Sequence, residues 1–137
     1  MRQQQWFAVL LGVAVLGLVA SAAEKPPADY QKAMKDLGAF TASIDKAVAA
    51  EDWDAIAMQA ASAREAFVVA QKYWDGKNTD AKELAGTGTK QTQDLIAVAG
   101  QKSKEGAEFS VGEIKAVCAN CHMAHRDAQP DGSFLIK

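Results

Sequence analysis

With 137 residues the chain is about one domain long. Roughly half of it is apolar and only three residues are proline, which excludes a disordered or collagen-like chain. Fifteen Lys and Arg against seventeen Asp and Glu leave a formal charge of −2 with no basic stripe to grip phosphates, so nucleic-acid binding is not expected.

Taken in chain order, residues 1–23 are expected to be a cleaved secretory signal peptide. Arg2 supplies a positive start, Trp6 to Ala20 is uncharged and apolar, and Ala20-Ser21-Ala22 has the small-x-small pattern that precedes cleavage. The apolar run of about 15 residues is shorter than the roughly 20 that a spanning helix needs, so no stable membrane insertion is expected after cleavage. Losing Arg2 takes the formal charge from −2 to −3. Export would place residues 24–137 in the periplasm, outside the reducing cytosol.

A first helix is predicted over Ala28 to Ala50, where Tyr30, Ala33, Met34, Leu37, Phe40 and Ile44 recur at 3–4 spacing on one face. Pro26 and Pro27 precede it, where their missing N–H groups cost least. A second helix runs from Asp52 to Trp74 with Trp53, Ile56, Ala57, Ala60, Phe67, Ala70 and Trp74 inward. Asp75-Gly76-Lys77-Asn78 ends it, and Asn78 can cap the next helix. The third, Thr79 to Ser103, has a stripe of Leu84, Leu95, Val98 and Ala99. It is interrupted by Gly86 and Gly88, each costing about 1 kcal/mol relative to alanine. Those glycines mark either a frayed first half or the close approach of another element.

Lys104 to Phe109 reads as a linker, and Ser110-Val111-Gly112-Glu113 as a capping box opening a fourth helix from Val111 to Asp127. Pro130 and Asp131-Gly132 should stop that helix. The tail Ser133-Phe134-Leu135-Ile136 then reads as a strap packed on the bundle. No strand-like alternation is visible. Four single-stripe helices on short connections predict an all-α, up-down-up-down four-helix bundle, with room between helices for one flat cofactor.

Cys118-Ala119-Asn120-Cys121-His122 is the attachment motif for c-type haem. At about 100° per residue, Cys118 and Cys121 lie about 60° apart on a helix, with His122 about 40° to the other side of Cys118, so the three share one face. The two thiols can add to the haem vinyl groups while the adjacent imidazole reaches the iron. Three other readings compete. A disulfide across two residues of a regular helix is strained. A thioredoxin-like pair needs its attacking cysteine at a helix N-terminus, whereas Cys118 sits about two turns inside the predicted helix. A zinc site needs a further ligand pair, and only His125 stands ready.

The order of four helices, the C-terminal Cys118-x-x-Cys121-His122 and Arg126 four residues on together resemble the class II cytochromes c. This group comprises the cytochromes c′ and their low-spin, methionine-ligated relatives. The resemblance spans about residues 28–127. It implies one covalently attached haem c per chain near the C-terminal helix, a homodimer through the first two helices, and no separate enzyme activity. The family's first helix carries a segment similar to Tyr30-Gln31-Lys32-Ala33-Met34-Lys35-Asp36-Leu37-Gly38. The position matching Met34 faces the distal side of the haem. Some members place methionine there as sixth ligand, and others a bulky apolar residue that leaves the iron five-coordinate. Tyr30 stands where many members have arginine, the third helix lacks their Trp-containing segment, and the tail departs where the family's helix often continues.

Met34 on an apolar helix face is by itself ordinary core filler, and the resemblance makes it the iron's distal ligand. Met58, beside the inward Ala57 and Ala60, is the fallback sulfur. Met123 follows His122 directly and cannot reach the opposite haem face. Arg126, one helical turn after His122, either pairs a haem propionate or is a solvated cation at the helix end. His125 reads as a surface residue. No carboxylate pair, Ser/His/Asp set or phosphate-binding glycine loop points to catalysis. The expected function is therefore a periplasmic electron carrier serving redox partner proteins. The alternative is a five-coordinate cytochrome c′-like protein that binds nitric oxide or carbon monoxide, with Met34 as packing. A peroxidase would need a distal acid–base group such as histidine, and the spare His125 lies on the proximal helix.

Overall fold

The computed structural model describes residues 23–137, so the segment read as a signal peptide lies outside the described residues except for Ala23. Four α-helices follow one another: α1 (Ala28–Ala49), α2 (Trp53–Trp74), α3 (Thr79–Gly100) and α4 (Lys104–His125). A short antiparallel hairpin of β1 (Arg126–Ala128) and β2 (Phe134–Ile136) closes the chain. Neighbouring helices run antiparallel around the ring α1–α2–α3–α4, giving the expected up-down-up-down bundle. Among the described residues no helix is long and apolar enough to cross a membrane.

Local chemistry explains where three of the helices begin. Asp52 accepts a hydrogen bond from the Ala55 N–H at 3.0 Å, and Asn78 accepts one from the Ala81 N–H at 3.0 Å, each satisfying an orphan donor of the first turn. The α3–α4 boundary differs from the expectation. Residues 104–109 are helical rather than a linker, and Ser103, not Ser110, is the cap, accepting from the Gly106 N–H at 3.2 Å. Ser110 is a buried residue inside α4. The turn between α3 and α4 is made by Lys102 at φ 54°, just as Glu51 at φ 53° makes the turn between α1 and α2. Glycine usually fills such left-handed positions, so neither turn carries its ordinary mark in the sequence.

α2 and α3 pack most extensively, because their facing stripes are small: Ala60, Ala63, Ala66 and Ala70 on α2, and Ala81, Ala85 and Gly88 on α3. Gly88 decides between the two readings of the α3 glycines. A Cβ there would lie 2.3 Å from the Phe67 ring, so its bare backbone admits that ring. Gly86 likewise has the Gln71 side chain 3.0 Å from where its Cβ would stand. The first half of α3 is intact helix in close contact with α2. Leu84 and Val98 are only partly buried, and Thr92 instead lies fully inside, its hydroxyl donating to the Gly88 carbonyl at 2.9 Å.

α1 and α4 pack most loosely of the adjacent helices. The predicted end of α4 at Asp127 is corrected to His125, because Arg126 turns extended and begins β1. The tail does pack on the bundle, in the form of a hairpin. Arg126 pairs with Ile136 and Ala128 with Phe134, while Ile136 is buried beside Tyr30, Trp74 and Ala81. Glu24 joins the far side of β2 through two backbone hydrogen bonds with Ile136, at 2.9 and 3.2 Å. The hairpin therefore lies over the end of the bundle formed by the start of α1 and the end of α4.

Candidate cofactor site

α4 runs unbroken through Cys118, Cys121 and His122, with Cys118 about four turns inside it rather than two. Helical spacing puts all three side chains, half-buried, against one small apolar cavity of about 30 Å³. Tyr30, Met34 and Leu37 of α1 and Phe67 and Trp74 of α2 complete its walls. The cavity adjoins a groove of about 280 Å³ at the loose α1–α4 seam. Met34, Leu37, Cys118 and His122 line both spaces, and Arg126 and Phe134 of the hairpin line the groove. Together the two spaces reach the lower end, about 300 Å³, of the range for cofactor sites.

Electrostatics at the motif point away from two of the competing chemistries. Both cysteines are free thiols. Burial raises the Cys118 pKa, and burial, then Cys118 and Asp80, push Cys121 up to about 11. A thioredoxin-like pair needs the opposite shift, a depressed thiol pKa at a helix start. His122 moves below its usual value, through burial and then the nearby Arg126 charge, which keeps its imidazole neutral at pH 7 and able to bind a metal. Among the described residues no group of three or more His, Cys, Asp or Glu side chains is arranged to hold a metal ion, so the zinc reading finds no ligand set.

Met34 is brought to this cavity and Met58 is not. Met58 is 68% exposed and lines a wider outer depression of about 660 Å³ between α1 and α2, away from the cysteines. That depression gathers alternating charges and small polar groups but none of the motif residues. Met123 is 72% exposed. Tyr30 is buried, and its hydroxyl accepts a hydrogen bond from the Trp74 indole at 3.2 Å. Burial is the main cause that pushes its pKa up to about 12.

His125 differs from the sequence reading, and of the two readings of Arg126 one is disfavoured. His125 is not a surface residue. Its side chain is 11% exposed, its Nε2 lies 2.7 Å from the Asp80 carboxylate, and its ring packs 5.4 Å from Trp74. The Asp80 partner was missed, since it stands 45 residues away with no local signal beyond its place in the first turn of α3. Arg126, the C-cap of α4, is only partly exposed. Its guanidinium lies 5.0 Å over the Phe134 ring, and its Nε is buried without a hydrogen-bond partner, alone in this among the described residues. Arg126 lines the same groove as Cys118 and His122.

The chain matches no protein-family model, no curated protein and no solved structure with which it was compared. The fold itself is a compact four-helix bundle, an architecture consistent with cytochrome-like folds in general.

Proposed function

We propose that the chain is an exported c-type cytochrome that passes single electrons. One haem would be bound covalently by Cys118 and Cys121, with His122 as proximal and Met34 as distal iron ligand. The observation that carries this reading is that Met34 of α1 and Cys118 and His122 of α4 line the same cavity and the same adjoining groove. The donor set fits the group: two unpaired thiols at helical i, i+3 spacing, a neutral imidazole on the same helix face, a thioether from a second helix, and an arginine lining the adjoining groove.

Bound there, haem supplies one-electron chemistry between ferric and ferrous iron. The chain's own residues do the rest. Cys118 and Cys121 stay protonated at neutral pH, so they resist the thiolate-driven route to a disulfide and remain available for addition to the vinyl groups. Leu37, Phe67 and Trp74 keep water from the cavity. A neutral thioether and an apolar wall favour the less charged, reduced state and so raise the reduction potential. Arg126, which lines the groove, would meet a propionate with its guanidinium charge and terminal N–H groups. Partner proteins in the periplasm would exchange electrons through the groove at the α1–α4 seam, and no substrate would be turned over.

Absorption spectra of the purified protein in both oxidation states test the reading. The expected result is a low-spin spectrum with a methionine-to-iron charge-transfer band that disappears in Met34→Ala. A high-spin ferrous spectrum that shifts readily with carbon monoxide would instead make Met34 a packing residue and the protein a gas binder.

A further inference from the structure

We propose that the C-terminal hairpin is a positioning arm. Phe134 holds the Arg126 guanidinium in the groove, where it and Lys35 of α1 form a two-point clamp for the paired carboxylates of the cofactor. This rests on the haem reading above and assigns Phe134 and Lys35 roles in it.

The register makes the arm. In an antiparallel pair, the residue opposite i and the residue two further along lie on the same face. Arg126 is opposite Ile136, so Phe134 is its diagonal neighbour on the face that also buries Ile136. That face lies against the bundle, and the aromatic ring sits under the guanidinium at 5.0 Å, a cation–π contact that fixes a long side chain. Three anchors fix the hairpin itself: Ile136 in the core, Glu24 bonded to Ile136, and the Lys137 N–H donating to the His125 carbonyl at 3.1 Å.

Held so, Arg126 lines the groove with a buried Nε that no protein group satisfies. What the side chain presents to a ligand in the groove is its positive charge and the terminal N–H groups of its guanidinium. The groove's charged lining is entirely cationic, with Lys35 and Arg126 present and no carboxylate. Nearby acids are already engaged. Asp36 pairs with Lys32 at 2.6 Å, and Asp131 is bonded to the Ser133 N–H and hydroxyl of its own turn. In a chain of net negative charge, a groove with two cations and no acid selects a dianionic carboxylate ligand. The chemistry of haem presents two carboxylates on one edge.

The test uses the holoprotein, with reduction potential as one readout and haem staining of the denatured polypeptide as the other. Removing a cation from the clamp would leave a carboxylate charge uncompensated, which favours the oxidised state. Arg126→Gln and Lys35→Gln should each shift the reduction equilibrium three- to tenfold toward it, about 30–60 mV for one electron. Phe134→Ala, which changes no charge, should reproduce the Arg126→Gln shift, and the double variant Phe134→Ala/Arg126→Gln should add nothing further. Phe134→Trp should keep the potential of the unsubstituted protein. Covalent haem with an unchanged potential in Phe134→Ala, or additive shifts in the double variant, overturns the arm. An unchanged potential in Lys35→Gln, a variant on α1 that leaves the hairpin intact, overturns the two-point clamp. Lack of covalent haem in the unsubstituted protein removes the haem reading and the clamp together, an outcome separate from the others.

Discussion

Gly88→Ala should destabilise the protein although it adds a better helix former. Mid-helix glycine is about 1 kcal/mol less favourable than alanine, so in open space the substitution would help by that amount. At Gly88 the new Cβ would stand 2.3, 2.4 and 2.6 Å from three carbons of the Phe67 ring. Ordinary carbon contacts lie at about 3.5–4.0 Å, so ring and helix must separate by more than 1 Å. Phe67 is only 4% exposed and has little room to retreat. Overpacking of this kind costs roughly 1–3 kcal/mol, and the closeness here puts it at the upper end. Set against the helix gain, the net loss is about 2 kcal/mol, or roughly 8 °C in Tm for a domain of this size. Urea unfolding followed by far-ultraviolet circular dichroism measures it. Gly112→Ala, where nothing lies within 4 Å of the new methyl, is the control and should be neutral to stabilising. Phe67→Leu should relieve the clash, giving a coupling of at least about 1 kcal/mol in a double-mutant cycle. A Gly88→Ala protein as stable as the unsubstituted one would refute the close approach of α2 and α3.

Other consequences are as direct. Ser103→Ala should cost about 1 kcal/mol by removing the α4 cap, whereas Glu113→Ala should change stability by less than about 0.5 kcal/mol, since no capping box exists at Ser110. Reversed effects would restore the shorter helix. The chain's two tyrosines should both titrate near pH 12 when their absorbance is followed, because burial pushes each pKa up to about 12 and the Glu24 carboxylate adds to the shift at Tyr73. The folded state holds these phenols protonated above their ordinary range, so the stability they contribute is complete below about pH 10 and is lost as pH rises from 10 to 12. For buried Tyr30 that loss is about 2–3 kcal/mol, and for the more exposed Tyr73 it is smaller. Titration of either phenol near pH 10 in the folded protein would contradict its surroundings.

Much of the fold is legible in the sequence because its causes are local. The stripes of α1 and α2, and the capping side chains Asp52 and Asn78, act within a turn or two of where they stand. The α3–α4 boundary is not legible, because Lys102 makes its turn in a conformation that glycine normally marks. A Ser-x-x-Glu pattern seven residues on then looks like a helix start, although Ser110 is simply a small buried residue. The hairpin escapes for another reason. Three-residue strands such as Arg126–Ala128 carry too little alternation to show period 2, and they exist by packing on the bundle end.

The site divides along the same line. Cys118, Cys121 and His122 converge through helix geometry within five residues, so their grouping needs no tertiary knowledge. Met34 meets them only through the antiparallel course of α1 and α4, and the family resemblance was its only pointer. Phe134 under Arg126, and Asp80 against His125, depend on registers that neither local sequence shows.

The central claim is that Cys118 and Cys121 hold haem through covalent bonds. Expression with export and haem maturation, followed by acid acetone extraction and intact mass of the denatured polypeptide, tests it most directly. Retained colour and a mass greater than the polypeptide by one haem are the expected result, both lost when the two cysteines are replaced by serine. Colour that leaves with the acetone, or a mass equal to the bare polypeptide, would contradict it.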